Sequence, residues 1–321
     1  MNEPIFIARQ DTLEQEILPA HWLAQYKLFG EESYTFQNKG IWKKLCMSSA
    51  AANDRDIHAE ALEEMLTTFS AEHTGKWMLT VYGMDAAVLE GLATMAAIAA
   101  NGTAMAAVAG NALLMHAITN SETAMQAISR SQTAMQRIAN STTAMDAIGG
   151  SRIARDAVQA SPYYNSYIKE NDMAIAKLAV ALANLESAGY SGMTAVAASS
   201  TAMTAVAASA TAMGKIAAVD AALSKLAAST TAMDALYARK KKLNGGSASK
   251  SGKFIILEIS ASNAFNTSKY GYATLSDGSK PDWSSYLAKY AFFRKYPKYA
   301  TYMLNDTDSD DYIYYFDIAS P

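Results

Sequence analysis

The chain has 321 residues, 27 of them basic and 30 acidic, for a formal net charge of -3; half are apolar and only 18% are charged. That balance argues against nucleic acid or an anionic membrane as the main partner, since either calls for a clustered basic surface. Cys46 is the single cysteine, which excludes an intrachain disulfide framework and a Cys-rich zinc site. The opening MNEPIFIARQDTLEQEIL has no basic stretch leading into an apolar one, so no signal peptide is expected. The Ala-rich tracts are broken by Ser, Thr and Asn every few residues, so no membrane insertion is expected.

Residues 1–90 have ordinary composition, with Trp22, Trp42, Trp77 and the β-like run Trp77 to Tyr82. They read as an α or α+β head, with Thr12-Leu13-Glu14-Gln15 as a helix start. Four histidines, His21, His58, His73 and His116, are scattered without a metal-ligand spacing. His58 lies near Glu60, Glu63 and Glu64, where a metal site competes with a solvated helix face. Cys46 has no evident catalytic partner and reads as a small buried hydrophobe.

From residue 91 to 160 methionines recur every ten residues at Met95, Met105, Met115, Met125, Met135 and Met145. Three residues after each stands Ile98, Val108, Ile118, Ile128, Ile138 or Ile148, and a seventh copy has Arg155 in the Met slot and keeps Val158. Serine stands where an N-cap belongs, at Ser121, Ser131, Ser141 and Ser151, so each unit reads as helix. Ten residues fall about 80° short of three helical turns. A continuous helix would carry its Met stripe around the axis, which no single seam can bury. The spacing therefore predicts short helices of about seven residues, broken at each Ser/Asn junction with Met and Ile inward; an overwound coiled coil is the alternative. One Met and one Ile or Val per unit make a thin layer, and repeats need neighbours, so a homo-oligomer is expected.

Residues 161–190 form a joint, with Asp172 to Ala188 reading as one uninterrupted helix. A second array over 191–240 carries Met193/Val196, Met203/Val206, Met213/Ile216, Leu223/Leu226 and Met233/Leu236. The run Arg239-Lys240-Lys241-Lys242 could contact phosphate, but it better suits the negative end of a last helix, and 241–253 reads as a Gly/Ser linker. Residues 254–321 are a β-rich tip, with strands expected at Phe254 to Ile259, Tyr270 to Leu275 and Tyr312 to Ile318, and a helix at Trp283 to Phe293. Ten of the eighteen tyrosines lie there. They serve either as core or as a surface for carbohydrate or protein. Asp306, Asp308, Asp310 and Asp311 alternate like the start of a calcium loop, but the Gly and distal Glu of an EF-hand are missing, and a turn explains them equally well. No nucleophile elbow, phosphate loop or dinucleotide fingerprint occurs. No enzyme is read here, and no catalytic, cofactor-binding or metal residue is assigned. The fold class is multidomain α+β: a head, an elongated rod of short helical repeats and a β-rich tip.

The phrases SSTAMTAVAASATAMGKIAA (Ser199 to Ala218), NSETAMQAIS and NSTTAMDAIG resemble the alanine-rich "STAM" repeats of tail-fibre and appendage proteins of tailed bacteriophages, Felix-type myophages among them. The resemblance covers roughly residues 90 to 240, departs at Arg155 and across 159–190, and carries no ligand motif. It implies a virion structural protein made in the host cytoplasm, a trimer by preference. Its head would dock on the tail or baseplate and its tip would meet a bacterial surface glycan or protein. Alternatively it implies a whisker, collar or baseplate connector whose tip binds another phage protein.

Overall fold

A computed structural model describes residues 92, 94–260, 271–282 and 286–321; the expected head, with Cys46, His58 and its glutamates, lies outside the described residues. The chain divides into two compact units, Met1–Ile168 and Lys169–Pro321.

In the first unit the repeats fold as α1 (Met95–Ala100), α2 (Gly102–Ala109), α3 (Ala112–Asn120), α4 (Glu122–Ser129), α5 (Gln132–Ala139), α6 (Thr142–Gly150) and α7 (Arg152–Ala160), followed by a π-turn at Tyr164–Ile168. One or two residues separate neighbours, the last of them extended as at Ser131, with φ -101° and ψ 121°. Such a residue cannot continue a helix, so the chain changes direction there: the axes of α2 and α3 meet at 98°. Among the described residues no single helix is long and apolar enough to cross a membrane.

Each helix packs on the third one along, α1 on α4, α2 on α5, α3 on α6 and α4 on α7. Three decapeptides therefore complete one coil of a helical solenoid, and the overwound coiled coil is not formed. Met105, Met115, Met125, Met135 and Met145 are fully buried, as are Val108, Ile118, Ile128, Ile138 and Ile148. Burying such a pair contributes roughly 3–6 kcal/mol per repeat before entropy is counted. Ala124, Ala134, Ala144 and Ala154 are also buried, because stacked coils approach too closely for a larger side chain. The Met face is thus covered within one chain, and the thinness of the layer no longer calls for a second copy.

The serines do more than cap. The Ser131 hydroxyl accepts from Ala134 N–H at 3.2 Å and donates to the Ala99 carbonyl at 2.6 Å. Ser141 does the same with Ala144 N–H and the Ala109 carbonyl, and Ser151 with Ala154 N–H and the Thr119 carbonyl. Ser161 reaches the Ser129 carbonyl. Every one of these rungs spans 32 residues, tying one coil to the next. The Arg155 side chain, in the Met slot, is half-buried and donates to the Gly149 carbonyl.

The second unit repeats the design with α8 (Asp172–Leu182), α9 (Met193–Ala198), α10 (Ser200–Ala208), α11 (Ala210–Ala217), α12 (Asp220–Ala228) and α13 (Thr230–Tyr237). Here α8 packs on α11, α9 on α12 and α10 on α13, and the Ser229 hydroxyl donates to the Ala197 carbonyl across 32 residues. The helix expected to run to Ala188 stops at Leu182. Asn184 turns left-handed at φ 59°, Asn184 N–H bonds the Ala181 carbonyl and Leu185 N–H the Val180 carbonyl, a helix-ending pattern that asparagine tolerates.

The antiparallel sheet follows directly: β1 (Lys241–Asn244), β2 (Ala248–Ser260), β3 (Gly271–Leu275), β4 (Tyr286–Leu287), α14 (Ala291–Lys295), β5 (Ala300–Asn305) and β6 (Tyr312–Asp317). Its order is β1-β6-β2-β5-β3, with β4 pairing the end of β2. The stretch 241–253, expected as a flexible linker, is instead β1 and the first half of β2. Its glycines serve a turn. A Cβ on Gly245 would sit 2.0 Å from the Asp308 carbonyl oxygen, and Gly246 has φ +84°. Three strands among the described residues, β1, β4 and β5, were not expected. The helix expected over Trp283 to Phe293 is replaced, within the described residues, by β4 and the short α14.

One sheet face continues the solenoid's core. Ile255, Leu257, Phe316 and Phe293 join Leu223, Leu226, Met233 and Leu236. The other face has its own core of Phe254, Ile256, Ile259, Met303, Ile313 and Tyr315, covered by Phe292. The sheet therefore closes the end of the last coil.

Candidate recognition surface

Where α13 runs into β1, four tyrosines and three lysines gather around one carboxylate. The strand register builds it. Lys242 on β1 lies opposite Tyr314 on β6, and Tyr314 lies opposite Glu258 on β2. A bulge between Ile256 and Glu258 shifts β2 by one residue. Bulges re-aim side chains: this one sends Leu257 into the solenoid core and turns Glu258 toward the tyrosines.

Glu258 is 9% exposed, a burial that a carboxylate tolerates only with partners. It accepts from the Tyr237 hydroxyl at 2.6 Å and from the Tyr312 hydroxyl at 3.4 Å. Burial, and then the hydrogen bond and charge of Glu258, push the Tyr237 phenol well above its ordinary pKa. Burial, reinforced by the Glu258 charge, also raises Tyr312. Both hydroxyls therefore keep their protons and hold the rings in place.

The rings form a connected set. Tyr237 meets Tyr290 and Tyr314 edge-on at 5.7 and 6.1 Å, and Tyr312 lies 4.5 Å from Tyr314. Lys240 sits 4.2 Å above Tyr237 and 5.2 Å from Tyr314, Lys242 is 4.9 Å above Tyr312, and Lys289 is 4.4 Å from Tyr237. Ring faces attract ammonium groups, so these charges are oriented rather than free to sweep. Asp234 accepts from the Tyr290 hydroxyl and from Lys289 at 3.2 Å, and those two bonds hold its carboxyl below its ordinary pKa. Tyr290 itself has φ 72°, a costly backbone for a bulky residue. It is held there by its hydroxyl and by its N–H bond to the Leu257 carbonyl. Among the described residues neither Lys240 nor Lys242 has a carboxylate partner.

Lys240 and Lys242, expected to complement a helix dipole, therefore stand over aromatic rings, because α13 ends at Tyr237 and β1 begins at Lys241. Of the C-terminal tyrosines, Tyr290 and Tyr315 are buried, while Tyr312 and Tyr314 are half-buried. Glu258 and Lys289 were not singled out from sequence. The available signal was a carboxylate inside the apolar run FIILEIS, which a strand must satisfy or expose.

The Asp306 to Asp311 cluster makes the turn between β5 and β6. Asp306 accepts from the Ser247 hydroxyl, Gly245 N–H bonds the Asp311 carbonyl, and Gly246 N–H the Thr307 carbonyl, while Asp308 and Asp310 point outward. Among the described residues no three His, Cys, Asp or Glu side chains are grouped to hold a metal ion. His116 on α3 is exposed. In the first unit a cleft of about 530 Å³ runs between α4 and α7, lined by Glu122, Arg130, Asp156 and Ile153. Its mixed charges select no single ligand. No protein-family model matches this chain, and no curated protein matches it.

Proposed function

We propose that this chain is a bacteriophage virion structural protein, a tail fibre or short fibre that docks on the tail or baseplate and presents its C-terminal sheet for host-surface recognition. The observation that carries the reading is the serine ladder. Most decapeptides bring a cap and a buried core pair, and Ser131, Ser141, Ser151, Ser161 and Ser229 each add a rung to the coil before, so the array lengthens by adding copies, as an extended spacer requires. The resemblance to alanine-rich fibre repeats supports the same role, with the protein in the virion after synthesis in the host cytoplasm. The role is non-enzymatic. A homo-oligomer, a trimer by preference, rests on that resemblance alone, since the Met face needs no second chain. The connector reading, in which the same end binds another phage protein, is the alternative.

The test uses the full chain, because residues 244–321 alone would lose Tyr237 and expose Ile255, Leu257, Phe293 and Phe316. Labelled protein is mixed with a panel of Gram-negative cells, with and without extracted surface glycan. Saturable binding that the glycan competes away supports recognition of the host. No binding to any cell, with capture of virion proteins from phage lysates, shifts the assignment to the connector.

A further inference from the structure

We propose that the tyrosine–lysine face around Glu258 binds an acidic polysaccharide, Lys240 and Lys242 taking the carboxylate or phosphate of a charged sugar while the Tyr312–Tyr314 pair receives its C–H face. The inference deepens the recognition role proposed above and rests on it for its biological setting, but not for its chemistry.

Three observations select this ligand. The first is charge. Lys240 and Lys242 lack carboxylate partners among the described residues, whereas the two acids of the face are already engaged, Glu258 by Tyr237 and Tyr312 and Asp234 by Tyr290 and Lys289. An incoming anion meets two oriented cations and two occupied carboxylates. The second is rigidity. Tyr237 ends a helix and Tyr312 and Tyr314 lie on a strand, and the Tyr237 and Tyr312 hydroxyls are tied to the buried Glu258, so little ordering entropy opposes binding. The third concerns the kind of partner. Protein partners are held chiefly by large apolar or aromatic anchors seated in pockets, yet among the described residues the exposed large hydrophobic side chain is Ile153, in the first unit. The second unit offers half-buried tyrosines and ammonium groups instead, which suit a polar, charged sugar chain.

The full-length chain is passed over immobilised polygalacturonate, phosphomannan and neutral dextran. It should bind one or both acidic polymers and not dextran, the two acidic arms telling carboxylate from phosphate. Lys240→Gln with Lys242→Gln should weaken binding by about tenfold, as the loss of two charge contacts of ordinary strength implies. Lys253→Gln with Lys280→Gln, lysines that also sit over single tyrosine rings but outside the face, should leave it unchanged. Equal losses in the two double variants would mean unspecific attraction to polyanions and overturn the proposal, as would undiminished binding by the first. Polyglutamate bound as tightly as the sugars would make the partner an acidic protein and overturn the ligand class. Whole-cell binding separates the two levels: cells bound equally by wild type and Lys240→Gln/Lys242→Gln retain the recognition role but remove this face from it. Polysaccharide binding without cell binding keeps the face and removes the role.

Discussion

Ser151→Ala probes the ladder directly. Ser151 is 6% exposed, accepts from Ala154 N–H at 3.3 Å and donates to the Thr119 carbonyl at 2.5 Å. Alanine leaves both backbone groups without that hydroxyl. Loss of a serine cap costs about 1 kcal/mol, and a buried acceptor stripped of its donor about 1–3 kcal/mol more. The expected loss is therefore about 2–4 kcal/mol. Asn101→Ala supplies the comparison, because the Asn101 side chain caps α2 through Thr103 and Ala104 N–H and should cost only the cap, about 1 kcal/mol. Urea unfolding followed by far-ultraviolet circular dichroism gives the two differences, and hydrogen exchange at Ala154 and at α3 localises them. If Ser151→Ala costs no more than Asn101→Ala, the 32-residue rung contributes nothing and the coil is held by its Met core alone.

Val219 occupies a cap position but provides no side-chain cap, so Val219→Thr, which keeps a methyl group and adds a hydroxyl, should stabilise the second unit by about 0.5–1 kcal/mol; a lower melting temperature would contradict the cap assignment. Met135→Asp would bury an unpaired charge in a fully buried slot, and should abolish cooperative unfolding of the first unit; retained helicity and midpoint would show that the Met face is not inward. Gly245→Ala must move the Asp308 carbonyl, so exchange protection at the Gly245 and Gly246 amides should fall, and unchanged protection would contradict the close turn. At alkaline pH, Tyr237, Tyr290, Tyr312 and Tyr315 hold their protons above the ordinary phenol range and Tyr164 is pushed up to about 12, all chiefly by burial. The unfolded chain then releases protons first, so stability is fully present below about pH 10 and falls as pH rises above it. Absorbance at 295 nm should show a late-titrating class that becomes ordinary in urea, and Tyr237→Phe should lessen the alkaline loss; a single ordinary transition would refute the buried hydroxyl at Glu258.

The period, the helical state and the inward Met/Ile face were legible because they are local: ten residues, one cap, one apolar pair. The number of helices per coil was not, since no repeat records which later repeat it will touch. The missed clue lies in the caps. Asparagine serves at Asn101, Asn111 and Asn171, yet serine stands at Ser131, Ser141, Ser151, Ser161 and Ser229, where the side chain must donate as well as accept. A hydroxyl does both from one atom, so serine recurring at those breaks signals a second partner beyond its own helix. The same reasoning explains the misread linker. Gly245 and Gly246 look like flexibility in composition, but one is required by the approach of Asp308 and the other by a left-handed turn, while Lys241 to Asn244 between helix and turn pair with β6. Composition reports how freely a segment moves when nothing touches it, and here the partner strand lies about seventy residues further along the chain. The recognition face was half legible for that reason. Its tyrosines announced themselves by abundance, whereas Glu258 and Lys289 acquire their roles only after a one-residue bulge and a distant strand bring them to the same rings.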